Sequence, residues 1–163
     1  RSNERVYQTL TQVSGRAGRF GKKAEVLVHT LAPENKIFSY LKNHTFEDFY
    51  NDEIPMREMC SSPPVKKLVL VYFNSKSQET AIKESSHQAN SLRALALKHF
   101  SLVEILGPRP SMIEKKVNKF TWSIMIRSSD INQLHNLLRT FSKNYRPPHT
   151  ISLKVDVDPY YFD

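Results

Sequence analysis

The stretch Lys67-Leu68-Val69-Leu70-Val71-Tyr72-Phe73 decides how the rest of the chain is read. After the lysine it is a run of β-formers and leucines, apolar enough to be a central strand. Downstream, residues 79–100 carry Ile82, Ala89, Leu92, Leu95, Ala96 and Phe100 at helical spacing, with Ser, Lys, His and Gln elsewhere, which predicts a long amphipathic helix. Residues 102–106 predict a short strand, stopped by Gly107-Pro108-Arg109-Pro110. Residues 120–127 alternate strictly: Phe120, Trp122, Ile124 and Ile126 face one way, and Thr121, Ser123, Met125 and Arg127 face the other. A helix at about 130–143 follows, led by Ser129 or Asp130, with Ile131, Leu134, Leu137, Leu138 and Phe141 inward. Ile151, Leu153, Val155 and Val157 then alternate with polar residues in a last strand. The order is β-α-β-β-α-β, the split-βαβ pattern on an antiparallel or mixed sheet, with helices on one face and the other partly open. The fold class is α/β, in the α+β sense. Such a superfold does not by itself assign a function.

Upstream, Ser61-Ser62-Pro63-Pro64 marks a boundary, because paired prolines fix φ and remove backbone donors. Residues 4–13 predict a short helix running into a glycine-broken stretch at 15–21 that holds three of the four glycines. Residues 25–30 read as a strand built on Val26, Leu27 and Val28. Pro33 and Glu34 suit the first turn of a helix carrying Ile37, Phe38 and Leu41 on one face. Thr45, with Asp48 three residues on, signals the start of another helix, which Pro55 is expected to kink or split.

The chain has 163 residues, 39% hydrophobic and 25% charged, which fits a folded protein rather than a disordered tail. Lys and Arg number 24 against 16 Asp and Glu, a net charge of +8 that favours a polyanionic partner without demanding one. Cys60 is the only cysteine, which excludes an intrachain disulfide framework and a thiolate zinc cluster, and the six histidines lack metal-ligand spacing. No signal peptide and no membrane-length apolar run is present, so a cytoplasmic setting is the default expectation. The chain opens on Arg1 rather than Met, as expected of a fragment.

The most specific string is Gln12-Val13-Ser14-Gly15-Arg16-Ala17-Gly18-Arg19. Glycines flanking two arginines three residues apart allow a tight turn from which both guanidinium groups reach one anion. Arginine suits phosphoryl transfer because its planar fork binds phosphate oxygens and stays charged. An isolated Gly-Arg-x-Gly-Arg fits a solvated basic loop equally well; Gln12 at a fixed offset tips the balance toward function.

This string resembles the sixth conserved motif of superfamily-2 helicases, in the form found in the primosomal replication-restart helicase family. Further matches follow in order: Ala24-Glu25-Val26-Leu27-Val28-His29-Thr30, Pro33-Glu34, Phe46-Glu47-Asp48-Phe49-Tyr50-Asn51-Asp52-Glu53-Ile54, Arg57 and Pro63-Pro64. Leu106-Gly107-Pro108, Trp122 after a basic run, and Val155-Asp156-Val157-Asp158-Pro159 complete the series. The resemblance covers nearly the whole chain. It implies that residues 1–60 are the last part of the second motor lobe, with the sixth motif. Residues 61–66 are then a linker, and 67–163 a C-terminal domain described in the family as similar to ribosomal S10. The parent implied is an ATP-dependent 3′–5′ DNA helicase that recognises stalled or branched forks and restarts replication.

By the same resemblance Arg19 is the candidate arginine finger, Arg16 a second contact to the ATP γ-phosphate, and Gln12 a coupling or water-positioning residue. ATP and Mg2+ belong to the full-length protein. The phosphate loop, the magnesium-binding carboxylates and the family's zinc-binding cysteines are not in this sequence, so the fragment alone is not expected to be active. The implied partners are branched or single-stranded DNA, the acidic tail of single-stranded-DNA-binding protein, and other primosome proteins. Where the family reads Arg-Tyr-Arg-Trp-Gln, this chain has Lys119-Phe120-Thr121-Trp122-Ser123, so Lys119 and Ser123 carry a remodelled tail contact. Trp122 lies on the apolar side of its strand and is expected in the core.

Arg109, Lys115, Lys116 and Lys119 cluster in the connection after Gly107-Pro108. They fit a solvated loop or, given the family, DNA phosphate contacts. Lys66, Lys67, Lys143 and Arg146 are weaker candidates. The open sheet face is expected to lack aromatic platforms, since Thr121, Ser123 and Met125 point outward. Asp156 and Asp158 read as surface acids rather than a metal site. Separated from lobe neighbours, Phe38, Phe46, Phe49 and Tyr50 stand to be exposed. The competing class is a stand-alone nucleic-acid or protein-interaction module of S10-like type without motor activity.

Overall fold

The computed structural model describes residues 2–17, 25–43, 45–116 and 119–159, with side chains for all of these except Ser2 and residues 112–116. The chain divides into two compact units, Arg1–Met56 and Arg57–Asp163.

The first unit is helical: α1 (Ser2–Ala17), α2 (Ile37–Asn43) and most of α3 (Phe46–Met59). Helix α1 runs four residues past the expected stop and takes Gly15 and Arg16 into its last turn. Glycine costs a helix only about 1 kcal/mol, which the flanking turns outweigh. Pro33-Glu34 forms a turn ahead of α2 rather than its first turn, and the Asn35 side chain accepts from the Ile37 N–H at 3.0 Å to start the helix. Helix α3 continues through Pro55 without a break.

Residues 25–30 form no strand. A strand exists only through ladder partners, and among the described residues of this unit no other extended segment lies beside them. Tyr7, Ile37 and Phe49 make the small core, with Phe38, Tyr40 and Leu41 packed around it. The Tyr7 and Phe49 rings stack with centroids 4.9 Å apart. Phe49 is therefore buried and Phe38 half-buried, whereas Phe46 and Tyr50 are exposed as expected.

In the second unit β1 (Lys67–Ser75), α4 (Gln78–His99), β2 (Val103–Lys116), β3 (Lys119–Ser128), α5 (Ile131–Asn144) and β4 (Ser152–Val157) build one four-stranded sheet. All its pairings are antiparallel, in the order β2-β3-β1-β4. Strand β1 is central, as its composition requires: Leu68 to Val71 and Phe73 are all buried. Opposite them, Val71 pairs with Ile124 and Val69 with Ile126, which puts the alternating apolar set of β3 on the helix-covered face.

Helix α4 packs on β1, β2 and β3, and α5 on β3 and α4. Ser77 caps α4 by accepting from Thr80 N–H, and Asp130 caps α5 by accepting from Asn132 N–H at 2.7 Å. On α4 the buried stripe is Ala81, Ser85, Ala89, Leu92 and Ala96, so Ile82, expected inward, is rotated out. Phe73, Leu92, Ile124, Ile126, Leu134 and Leu137 are almost completely buried. Each contributes roughly 1.5–3 kcal/mol of hydrophobic stabilisation. At the β4 edge Val155 and Val157 are 46% and 63% exposed despite their alternation.

Strand β2 does not stop at Gly107. It continues to Lys116 with register shifts between Leu106 and Arg109 and between Pro110 and Lys115. An edge strand tolerates this, because only one side must supply ladder bonds and bulges absorb the prolines. Gly107 sits at φ +91°, and a Cβ there would lie 2.9 Å from the Ser123 carbonyl oxygen. Only glycine fits. Its carbonyl accepts from Arg93 of α4, which ties the bulge to the helix.

Candidate nucleic-acid interface

In the helical unit, Gln12 and Arg16 lie four residues apart on α1, on one face and both exposed. Both side chains can therefore approach a single anion. Arg19, the candidate finger, lies outside the described residues. What is described fits a phosphate contact; it does not form a nucleotide cradle. No group of three or more His, Cys, Asp or Glu suited to a metal ion occurs among the described residues.

In the sheet unit the four predicted cations do not lie in a loop. Arg109, Lys115 and Lys116 belong to β2, and Lys119 opens β3. The register sets Lys116 opposite Lys119 and Lys115 opposite Phe120, at the end of a β2–β3 hairpin. Arg109 is set apart, half-buried midway along the hairpin opposite Ser123. Ser123 is itself only 4% exposed, so the expected patch of Lys119 with Ser123 reduces to the exposed Lys119.

The weaker candidates divide differently. Lys66 pairs with Glu104, and Lys67 pairs with Asp158 at 3.7 Å, so both are already engaged. Arg146 donates to Ser142 O at 2.6 Å. Arg127 Nε donates to the other Glu104 oxygen at 2.7 Å, and Arg127 Nη1 reaches Cys60 O at 3.3 Å. Glu104 thus holds a three-residue clamp that fastens the segment before β1 to the sheet. Its carboxyl lies below the usual carboxylate range, first because Lys66 donates to it and then because Arg127 does. Asp156 pairs with Lys154 at 3.0 Å, and Asp158 also accepts from Leu68 N–H at 3.3 Å. Asp156 thus serves its own strand, and Asp158, just past β4, serves the start of β1.

Two expectations about aromatic residues change. Trp122 is on the core face but only half-buried, and its Nε1–H has no hydrogen-bond partner among the described residues. The face opposite the helices is not open throughout, since Leu68, Leu70 and Ser123 on it are buried, yet it does carry an aromatic ring: Tyr72 of β1, with Lys154 Nζ 5.4 Å from its centroid. The register sets Tyr72 beside Ser123 of β3, which alternation within β3 alone does not state.

Residues 58–160 match the family described as primosomal protein N C-terminal domain. Proteins named replication restart protein PriA align along essentially the whole chain. The one from Synechocystis sp. is 32% identical over 163 residues, 100% of this chain and 19% of its own length. That from Rickettsia conorii is 34% identical over 162 residues, covering 99% and 24% respectively. The Bacillus subtilis protein is 31% identical over 163 residues, 98% of this chain and 20% of its own. The chain spans about a fifth to a quarter of the length of these relatives.

Proposed function

The chain belongs to the primosomal protein N C-terminal domain family, and on that premise we propose that it is the C-terminal part of an ATP-dependent 3′–5′ DNA helicase. The parent recognises stalled or branched replication forks and restarts replication by assembling the primosome. Residues 1–60 are the end of the second motor lobe and bring the sixth motif. Residues 67–163 form the S10-like domain that touches DNA and partner proteins, joined through 61–66.

One observation carries this reading: relatives named for replication restart align with 98–100% of the chain, motif string and sheet domain together and in order. In the full-length protein ATP and Mg2+ supply the phosphoryl-transfer chemistry. Gln12 and Arg16 face that nucleotide from α1, and Arg19 stabilises charge on the γ-phosphate. Lys119 is the remaining contact for an acidic protein tail, and Lys115, Lys116 and Lys119 at the hairpin end take DNA phosphates. The setting is cytoplasmic; no described helix is long and apolar enough to cross a membrane.

The test is the DNA-stimulated ATPase of the full-length protein with and without Arg19→Ala. Loss on the order of 10³-fold is expected for an arginine finger. Activity that survives the change removes that role from Arg19.

A further inference from the structure

One end of the four-stranded sheet holds a cleft of about 400 Å3, of whose lining only Lys119 has been given a role. Its walls come from three places distant in sequence: the turn from β1 into α4, the first residue of β3, and the segment entering β4. The two registers bring them together. Ser75 at the end of β1 pairs with Phe120 near the start of β3, and Asn74 pairs with Ser152 at the start of β4. Lys76, Lys119 and His149 thereby line one concavity, and all three are exposed.

Elsewhere on this unit Lys66, Lys67 and Lys154 are each neutralised by an acid. Here, among the described residues, the lining contains no carboxylate, and neither Lys76, Lys119 nor His149 has an ion-pair partner. The rest of the wall is polar, with Thr80 and Ser152 among its hydroxyls. The Ser77 hydroxyl is already spent on Thr80 N–H, so the end of α4 is closed by its own cap and the site rests on side-chain cations.

We infer that this cleft binds a phosphodiester group of a nucleic-acid strand. Lys76 and Lys119 neutralise the phosphate, while His149 and the hydroxyls donate hydrogen bonds to its oxygens. Lys119 is shared with the basic hairpin end, so the cleft continues that run of cations around the end of the sheet. Nucleic acid fits better than an acidic peptide. Among the described residues the cleft has no arginine fork to grip a carboxylate, and the one large apolar residue in its lining, Ile151, is turned into the core. The inference rests on the DNA-binding half of the proposed function and adds Lys76 and His149, which that reading does not contain.

The experiment titrates the chain into fluorescently labelled oligothymidylate and follows anisotropy from about 50 to 200 mM salt. The variant is Lys76→Ala with His149→Ala; both residues are exposed, so the urea midpoint stays in place. Its affinity should fall about tenfold at the lowest salt, and the slope of log affinity against log salt should shrink by about 0.7, one cation's share on a single strand. Lys76→Arg should keep the original slope. If the unaltered chain binds and the double variant matches it, the cleft is wrong and the DNA reading stands. If the unaltered chain does not bind, both fall. If an oligo-aspartate peptide displaces the DNA at equimolar concentration and the double variant resists displacement, the cleft belongs to an acidic protein tail and the inference is overturned.

Discussion

The unit spanning residues 1–56 gathers Tyr7, Ile37 and Phe49 into its core, whereas the unit spanning 57–163 gathers thirteen buried apolar residues around one sheet. Both contain a valine- and leucine-rich extended segment. In residues 67–73 it is flanked on both sides by β3 and β4 and becomes the central strand. In residues 25–30 it has no ladder, and Leu27 and the following Leu31 are 95% and 99% exposed. Composition is therefore a request for a strand, and pairing partners grant it. The helical unit holds itself together through a small group of aromatic rings around Phe49, with Ile37 and Leu41. The sheet unit has non-local pairings, two capped helices and a closed core.

The largest expected effect tests whether the two cores are separate. Trp122, the single tryptophan, lies in the sheet unit and reports on its unfolding. Phe73→Ala should cost about 3–5 kcal/mol in a urea titration followed by tryptophan fluorescence. Phe49→Ala should leave that transition in place while lowering helical circular dichroism. A shift of the tryptophan transition by Phe49→Ala would make the two cores one cooperative unit.

A smaller effect is expected at the bulge. Gly107→Ala combines a left-handed backbone with a Cβ 2.9 Å from Ser123 O, and should destabilise the sheet unit by roughly 1–3 kcal/mol. Retained stability would mean that β2 re-registers past Leu106.

The smallest concerns the clamp on Glu104. Its folded carboxyl is held below the unfolded value, so its contribution is complete above about pH 4.3 and disappears as pH falls through the lower, folded value. The side chain is 41% exposed, so Glu104→Gln should cost at most about 1 kcal/mol at neutral pH. The wild type and variant should converge as the pH is lowered below about 4.3 and through the depressed folded value. Equal stability at neutral pH would show that the clamp is cosmetic.

The sheet unit was largely legible in its sequence, because each of its long elements declares its own period. Val69, Val71, Ile124, Ile126, Leu134 and Leu137 fall where alternation or helical spacing puts them. What could not be read was non-local. The continuation of β2 beyond Pro108 depends on its position at the sheet edge, which no local pattern states. Of the proposed site residues, Arg16 and Arg19 stand out only because a motif carries them, and composition alone leaves them in a solvated loop. Lys76 and His149 gave no signal at all. Nothing in one dimension says that a lysine after β1 and a histidine before β4 meet, since only the antiparallel register brings them together.

The prolines of β2 have a consequence for how the protein behaves in concentrated solution. Pro108 and Pro110 sit on the outermost strand of the sheet and each lacks a backbone donor. A second chain approaching that border would find gaps where an added strand needs hydrogen bonds, next to a backbone already bent at Gly107. The opposite border presents Lys154 and Asp156 instead. Each margin is thus guarded against stacking of copies into fibrils, one by missing donors and a bend, the other by charge.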